Sequence, residues 1–211
     1  MNFNKHLDLV GKHAIFGASK CSWINKDNDG MMNSYINSFA TEIGTALHDI
    51  ARGFIEEKIK FKKIYKPVIF LMLRMMYHIP RYAINLDEVS INNLMAYIND
   101  GIGYRMSPEV VLYYSDRFFG TADTISFKDN CLRIHDLKTG KTPVHMEQLQ
   151  IYAALFCLEY NVKPYEISME LCIYQNNECI SYNPTPEDIV PIMDKIVMAD
   201  KMLSNLINQE K

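Results

Sequence analysis

Three polar residues stand where a half-buried hairpin does not need them: Asp123, Asp136 and Lys138, within "GTADTISFKDNCLRIHDLKTG", residues 120–140. Runs 120–128 and 131–138 alternate apolar and polar residues and are rich in β-branched and aromatic side chains, which favours strands. Asp129-Asn130 between them suits a tight two-residue turn. That turn pairs Lys128 with Cys131, and counting back along the ladder sets Asp123 opposite Asp136. Directly opposed side chains have Cβ atoms about 4.5–5.5 Å apart. Residues two apart on a strand share a face, so Lys138 joins Asp136. Two carboxylates this close repel unless a cation lies between them. Hard oxygen ligands suit Mg²⁺ or Mn²⁺. The competing explanation is a solvated polar face with a chance Asp pair and a lysine counter-ion.

The elements that must hold these residues follow from periodicity. Residues 18–40 read as irregular to helical around the turn-forming "NKDNDG". Residues 42–60 are predicted helical, with Ile43, Leu47, Ile50, Ala51, Phe54 and Ile59 at helix spacing. Helices are also expected over 67–79 and 90–99. Strands follow at about 109–115, 118–128 and 131–138, then an apolar helix over 145–160. Two more strands, about 167–174 and 178–182, meet across "QNN", and a final helix covers 187–208 behind Pro184 and Pro186. Helices before, between and after such strands predict an α/β fold with a central mixed β-sheet flanked by helices. The chain reads as one domain: a mainly helical N-terminal part (1–105), a core (106–185) and a C-terminal helix (186–211).

Composition is compatible with this. A chain of 211 residues with 48% hydrophobic content can bury a real core. The opening "MNFNKHLDLVGKH" has no apolar signal-peptide core. The longest apolar run, "PVIFLMLRMMYHI", is too short for a membrane span and contains Arg74, so no membrane partner is expected. Five scattered cysteines argue against a disulfide framework and for a reducing, cytoplasmic compartment. Net charge is −3, but it is unevenly spread. Residues 52–82 hold eight Lys/Arg against two Glu, whereas residues 147–211 hold ten acidic and four basic residues. In "EEKIKFKKIYK", Lys60, Lys62 and Lys63 could contact nucleic-acid phosphates, with Phe61 and Tyr65 interleaved for stacking. A solvated helix face explains the same run. Arg105, Arg117 and Lys141 are the alternative cationic track.

Four blocks in order carry a family resemblance: Gly44-Thr45-x-x-His48, Gly120-x-x-Asp123, Asp136-Leu137-Lys138-Thr139-Gly140, and Gln148-x-x-x-Tyr152. They resemble the PD-(D/E)XK nuclease superfamily, in its RecB-like branch, which includes phage recombination exonucleases. The resemblance implies a restriction-endonuclease-like core and a metal-dependent DNA exonuclease acting in phage-type recombination, repair or DNA processing. It implies that His48, Asp123, Asp136 and the Leu137 carbonyl bind Mg²⁺ or Mn²⁺. Asp123, Asp136, Lys138 and Gln148 would form the catalytic set, with Lys138 beside the attacked phosphate. Gln148 and Tyr152 are one helical turn apart on one face, so Tyr152 can buttress the site or simply pack in the core.

Glu109 is a further candidate. A three-residue loop at 115–117 sets it opposite Asp123, whereas a two-residue loop pairs it with Ala122 and turns it away. His135 should point to the opposite sheet face.

No iron–sulfur cluster is expected, since Cys172 and Cys179 do not form the late cysteine cluster that accompanies an early one in several RecB-like nucleases. No Walker-type loop occurs, so a nuclease domain would stand without a helicase. DNA is the implied partner, in the cytoplasm of a bacterium or phage-infected host. A single-strand annealing protein enters by analogy, and a homo-oligomer is left open. The alternative function is a catalytically inactive nuclease-fold module that binds DNA or protein.

Overall fold

The computed structural model describes residues 4–140 and 145–209. Lys141 lies outside them. A five-stranded mixed sheet has the order β1-β2-β3-β4-β5. Its strands are β1 (Ser107–Ser115), β2 (Phe118–Lys128), β3 (Cys131–Leu137), β4 (Ser168–Gln175) and β5 (Glu178–Tyr182). Neighbours are antiparallel except β3 and β4, which are parallel. A parallel pair needs a crossover, and the helix α5 (Glu147–Glu159) lies in that connection.

Alternation along β4 shows how the sheet feeds two cores. Cys172 and Tyr174 pack with α2 (Ala40–Glu56), α3 (Lys66–Met75) and α4 (Glu88–Gly103). Leu171 and Ile173 pack with α5 and α6 (Pro186–Gln209). A fully buried Leu or Ile contributes roughly 1.5–3 kcal/mol, so both layers hold the sheet firmly. The first helix, α1 (Asn28–Asn37), begins where the Asp27 carboxylate accepts a hydrogen bond from Gly30 N–H at 2.7 Å.

The β2–β3 hairpin turns on Asp129 and Asn130, both left-handed (φ 53 and 54), a conformation Asp and Asn tolerate. Lys128 faces Cys131, and the ladder continues to Thr124 opposite His135, one step short of Asp123 and Asp136.

The β1–β2 turn departs from both expected loops. It spans only Asp116-Arg117, with Ser115 opposite Phe118. A bulge between Tyr113 and Ser115 then shifts the register. Val110 opposes Ala122 and Pro108 opposes Thr124, so Glu109 arrives level with Asp123. The bulge does what a third loop residue would have done.

Two expectations need correction here, and a third concerns the cysteines. The helix predicted over 42–60 ends at Glu56, because Lys58 turns left-handed (φ 55). The basic run beyond it is therefore not a helix face. Phe61 is not available for stacking on a base: it is 1% exposed and packs against Phe54 and Tyr65. Asn99 locks it there, its Oδ1 accepting from Phe61 N–H at 2.8 Å and its Nδ2 donating to Phe61 O at 3.0 Å. Finally, Cys172 and Cys179 form a disulfide across β4 and β5. The Asn176-Asn177 turn brings them together by setting Tyr174 opposite Cys179. The cysteine count thus carries no argument for a reducing compartment. Among the described residues no helix is long and apolar enough to cross a membrane.

Candidate functional site

Three elements, α2, β1 and β2, converge at one point. His48 comes from the middle of α2, Asp123 from β2 and Glu109 from β1. His48 Nδ1 lies 3.3 Å from Asp123 Oδ2. One ligand atom from each of His48, Glu109 and Asp123 falls within 4.8 Å of the others. Glu109 is exposed and left-handed (φ 52), an uncommon state for a non-glycine residue in a strand. Leu137 N–H donates to Asp123 Oδ2 at 3.1 Å, steadying the carboxylate from the facing strand.

A second chain of polar groups lies alongside. Asp136 is 2% exposed. Lys138 Nζ donates to its Oδ1 at 3.0 Å and lies 2.9 Å from its Oδ2, though without hydrogen-bond alignment to the latter. Lys138 also donates to Gln148 Oε1 at 3.1 Å, and Gln148 Nε2 donates to the Tyr152 hydroxyl at 3.1 Å. The expected helix-face spacing of Gln148 and Tyr152 is thus realised as a hydrogen bond on α5. Gly120 explains itself physically: a Cβ there would lie 2.8 Å from Tyr152 Cε1, so the ring can rest on β2 only because glycine has none. Gly44 has a similar role, since its Cβ would meet Thr139 Oγ1 at 3.0 Å.

The electrostatics follow from crowding. Burial, then the nearby Asp136 carboxylate, lifts the Asp123 carboxyl from an ordinary 3.8 to about 6; His48, Leu137 N–H and Lys138 offset part of this. A divalent cation would reverse that balance. One imidazole nitrogen and two carboxylates within one ligand sphere form a donor set that fits Mn²⁺ or Mg²⁺. Asp136 does not belong to this trio, because its carboxylate faces the Lys138 ammonium. Leu137 contributes its N–H to Asp123.

The sequence reading missed the support behind Lys138. Lys138 N–H donates to Tyr174 O at 3.0 Å, and Gln175 Nε2 donates to Gly140 O at 2.6 Å. The 138–140 segment is therefore fastened to the end of β4. A signal was present, since Gln175 is a buried polar residue closing the apolar run Leu171–Tyr174 of β4. His135 is 1% exposed, and burial, with Arg133 adding to it, lowers its pKa to about 4. The Tyr174 hydroxyl donates to Asp100 Oδ2 at 2.7 Å and sits 3.2 Å from His135 Nδ1. With the hydroxyl proton committed to Asp100, Nδ1 is the donor to Tyr174. The three residues, with Asp100 half-buried, form a strut joining α4, β3 and β4.

The basic run is only loosely attached. Lys60, Lys62 and Lys63 are exposed, and Lys63 pairs with Glu88 at 2.9 Å. Arg117 is held by Asp200 at 2.7 Å and so belongs to the β1–β2 turn's anchorage on α6.

A scan against protein-family models finds no match, and a search of the curated proteins finds none either.

Proposed function

We propose that this chain is a metal-dependent deoxyribonuclease of the PD-(D/E)XK type, in the RecB-like branch, acting as an exonuclease. One observation carries the reading: the His48–Glu109–Asp123 trio lies beside a buried carboxylate, Asp136, whose ammonium partner Lys138 is itself held by Gln148. A nitrogen-and-carboxylate ligand set next to a positioned lysine suits metal-assisted phosphodiester hydrolysis. The four motif blocks named above supply every residue of this arrangement except Glu109.

His48, Glu109 and Asp123 would hold Mg²⁺ or Mn²⁺, with Asp136 and the Leu137 carbonyl as further candidates by resemblance. When bound, the ion supplies Lewis acidity and a lowered pKa for water. The residues of the chain do the rest. Lys138 places positive charge where the pentacovalent phosphorus gathers negative charge, and Asp136 and Gln148 fix the ammonium in that direction. Water adds through oxygen to phosphorus, its proton leaves to solvent, and the bond to the departing sugar oxygen breaks as that oxygen takes up a proton. Tyr152 keeps Gln148 aligned. No covalent enzyme intermediate is needed.

The test is a cleavage assay with linear duplex, supercoiled and single-stranded DNA, with Mg²⁺, with Mn²⁺ and with chelator. Metal-dependent loss of linear DNA from its ends supports the reading. Binding without cleavage under every condition would replace it with an inactive nuclease-fold binding module.

A further inference from the structure

The three residues that follow β3 belong to no helix or strand, yet each meets a different part of the fold. Lys138 N–H donates to Tyr174 O at 3.0 Å. Thr139 Oγ1 lies 3.0 Å from where a Cβ on Gly44 of α2 would stand. Gly140 O accepts from Gln175 Nε2 at 2.6 Å. Two successive residues at the end of β4 therefore hold both ends of the segment, Tyr174 through its backbone and Gln175 through its side chain. The partner sets the amide's orientation: a carbonyl only accepts, so the nitrogen of Gln175 faces Gly140.

Stability does not call for this arrangement. Thr139 and Gly140 are exposed, so water is available to the Gly140 carbonyl. Gln175 is 4% exposed and follows the buried run Leu171–Tyr174. Taking an amide out of water costs free energy that its hydrogen bond largely restores, whereas an apolar side chain there would add favourable burial. A buried amide on an exposed carbonyl fixes a position rather than adding stability. Departures of this kind from an all-apolar core gather at functional sites.

The position it fixes governs the residue two places back. Lys138 Nζ donates to Asp136 Oδ1 at 3.0 Å and to Gln148 Oε1 at 3.1 Å. Those partners stand on β3 and α5, which are held by fully buried neighbours, Ile134 and Leu149. The ammonium meets both only while the Lys138 backbone stays in place. That backbone is set on one side by β3 and on the other by the 138–140 segment. Misplacing a catalytic group by about 1 Å can lower a rate by about 10²-fold.

We propose that Gln175 is a positioning residue of the candidate site: by holding Gly140 it directs the Lys138 ammonium toward the phosphate. The effect on rate rests on the nuclease reading, whereas the effect on Lys138 does not. Gln175 supplies no atom to the His48–Glu109–Asp123 trio, so its loss lowers turnover and leaves metal affinity unchanged.

The test uses two variants. Gln175→Met keeps the length of the side chain and removes the donor. Gln175→Asn keeps an amide that is one methylene short of Gly140, and it serves where the methionine variant does not fold. Amide exchange is followed residue by residue by NMR in chelator. The Lys138 amide, bonded to Tyr174 O, should exchange at least about tenfold faster in either variant, with the amides of the β2–β3 hairpin unchanged. Cleavage of linear duplex DNA with Mg²⁺ should show kcat lower by about 10- to 100-fold and KM within about threefold of the parent. In a Lys138→Ala background the same substitutions should cause no further loss, since the group they misplace is gone. Mn²⁺ affinity by calorimetry should match the parent's. Unchanged Lys138 exchange overturns the proposal, and so does a parental kcat in the variants or a loss of the same size in both backgrounds. If the parent cuts no DNA under any condition, the nuclease reading falls, and the exchange of Lys138 alone decides whether Gln175 holds it.

Discussion

His48 Nδ1 lies 3.3 Å from Asp123 Oδ2, so the middle of α2 is tied to the second strand of the sheet by a contact between two side chains that both suit a divalent metal. In the metal-free protein that contact is a close approach of a ring nitrogen to a carboxylate oxygen. Under the nuclease reading it marks two ligands of one ion.

Replacing His48 with alanine should therefore weaken Mn²⁺ binding by at least about tenfold, since even outer partners of metal ligands cost 10–100-fold. Cleavage should fall with it and recover in part at high Mn²⁺. Isothermal titration calorimetry with Mn²⁺ checks this; equal affinity in parent and variant would place His48 outside the ligand set.

The raised pKa of Asp123 makes a prediction about pH. Its carboxyl titrates near 6 when folded, against an ordinary 3.8. Between those values the metal-free folded protein holds a proton that the unfolded chain releases. Stability therefore falls as pH rises from about 4 to 6, and the fall is complete above the folded value. About two pKa units correspond to roughly 3 kcal/mol. Urea unfolding in chelator at pH 4, 5, 6 and 7 should show the parent losing about that much relative to Asp123→Asn, which cannot titrate. A stability difference that stays constant across the series would rule the effect out.

The elements were legible because their period was unambiguous. Strand β2 and strand β5 begin and end as alternation predicted, and the Asp129-Asn130 turn follows from the tolerance of those residues for positive φ. The place of Glu109 was not legible, because it depends on a one-residue bulge at Tyr113/Ser115 that no turn residue announces. Phe61 was misjudged for a different reason. Its neighbours in sequence are lysines, and only the clamp from Asn99, thirty-eight residues away, draws its backbone into the core. Long-range polar contacts of that kind, like Gln175 on Gly140, have no local pattern.

Gly120 offers a test of packing at the site. Gly120→Ala would push a methyl to 2.8 Å from the Tyr152 ring, inside any tolerable contact. A rigid aromatic ring backed by a helix cannot yield cheaply, so a loss of about 1–3 kcal/mol is expected. The loss should be largely absent when the same change is made in a Tyr152→Leu background, which leaves room for the methyl. Thermal or urea unfolding of the four proteins of this cycle measures the coupling. Additive effects would mean that Tyr152 does not rest on Gly120.

Under the nuclease reading, Lys138 separates catalysis from metal binding. Its ammonium donates to Asp136 and Gln148 and stays a third exposed, so it can reach a bound phosphate without breaking the core. Lys138→Ala should lower the cleavage rate by about 10²–10³, the usual cost of removing one positioned donor in a hydrolytic site. Its Mn²⁺ affinity by calorimetry should stay close to the parent's, because the ammonium is not a ligand. It also leaves Asp136, 2% exposed, without its counter-ion, so the metal-free variant should unfold at lower urea concentration than the parent. Added Mn²⁺ should recover part of that stability if the ion sits close enough to neutralise Asp136, while the cleavage rate stays low. Near-parental cleavage by Lys138→Ala would remove lysine from the mechanism and leave the Asp136 pair as a structural ion pair beside the ligand trio.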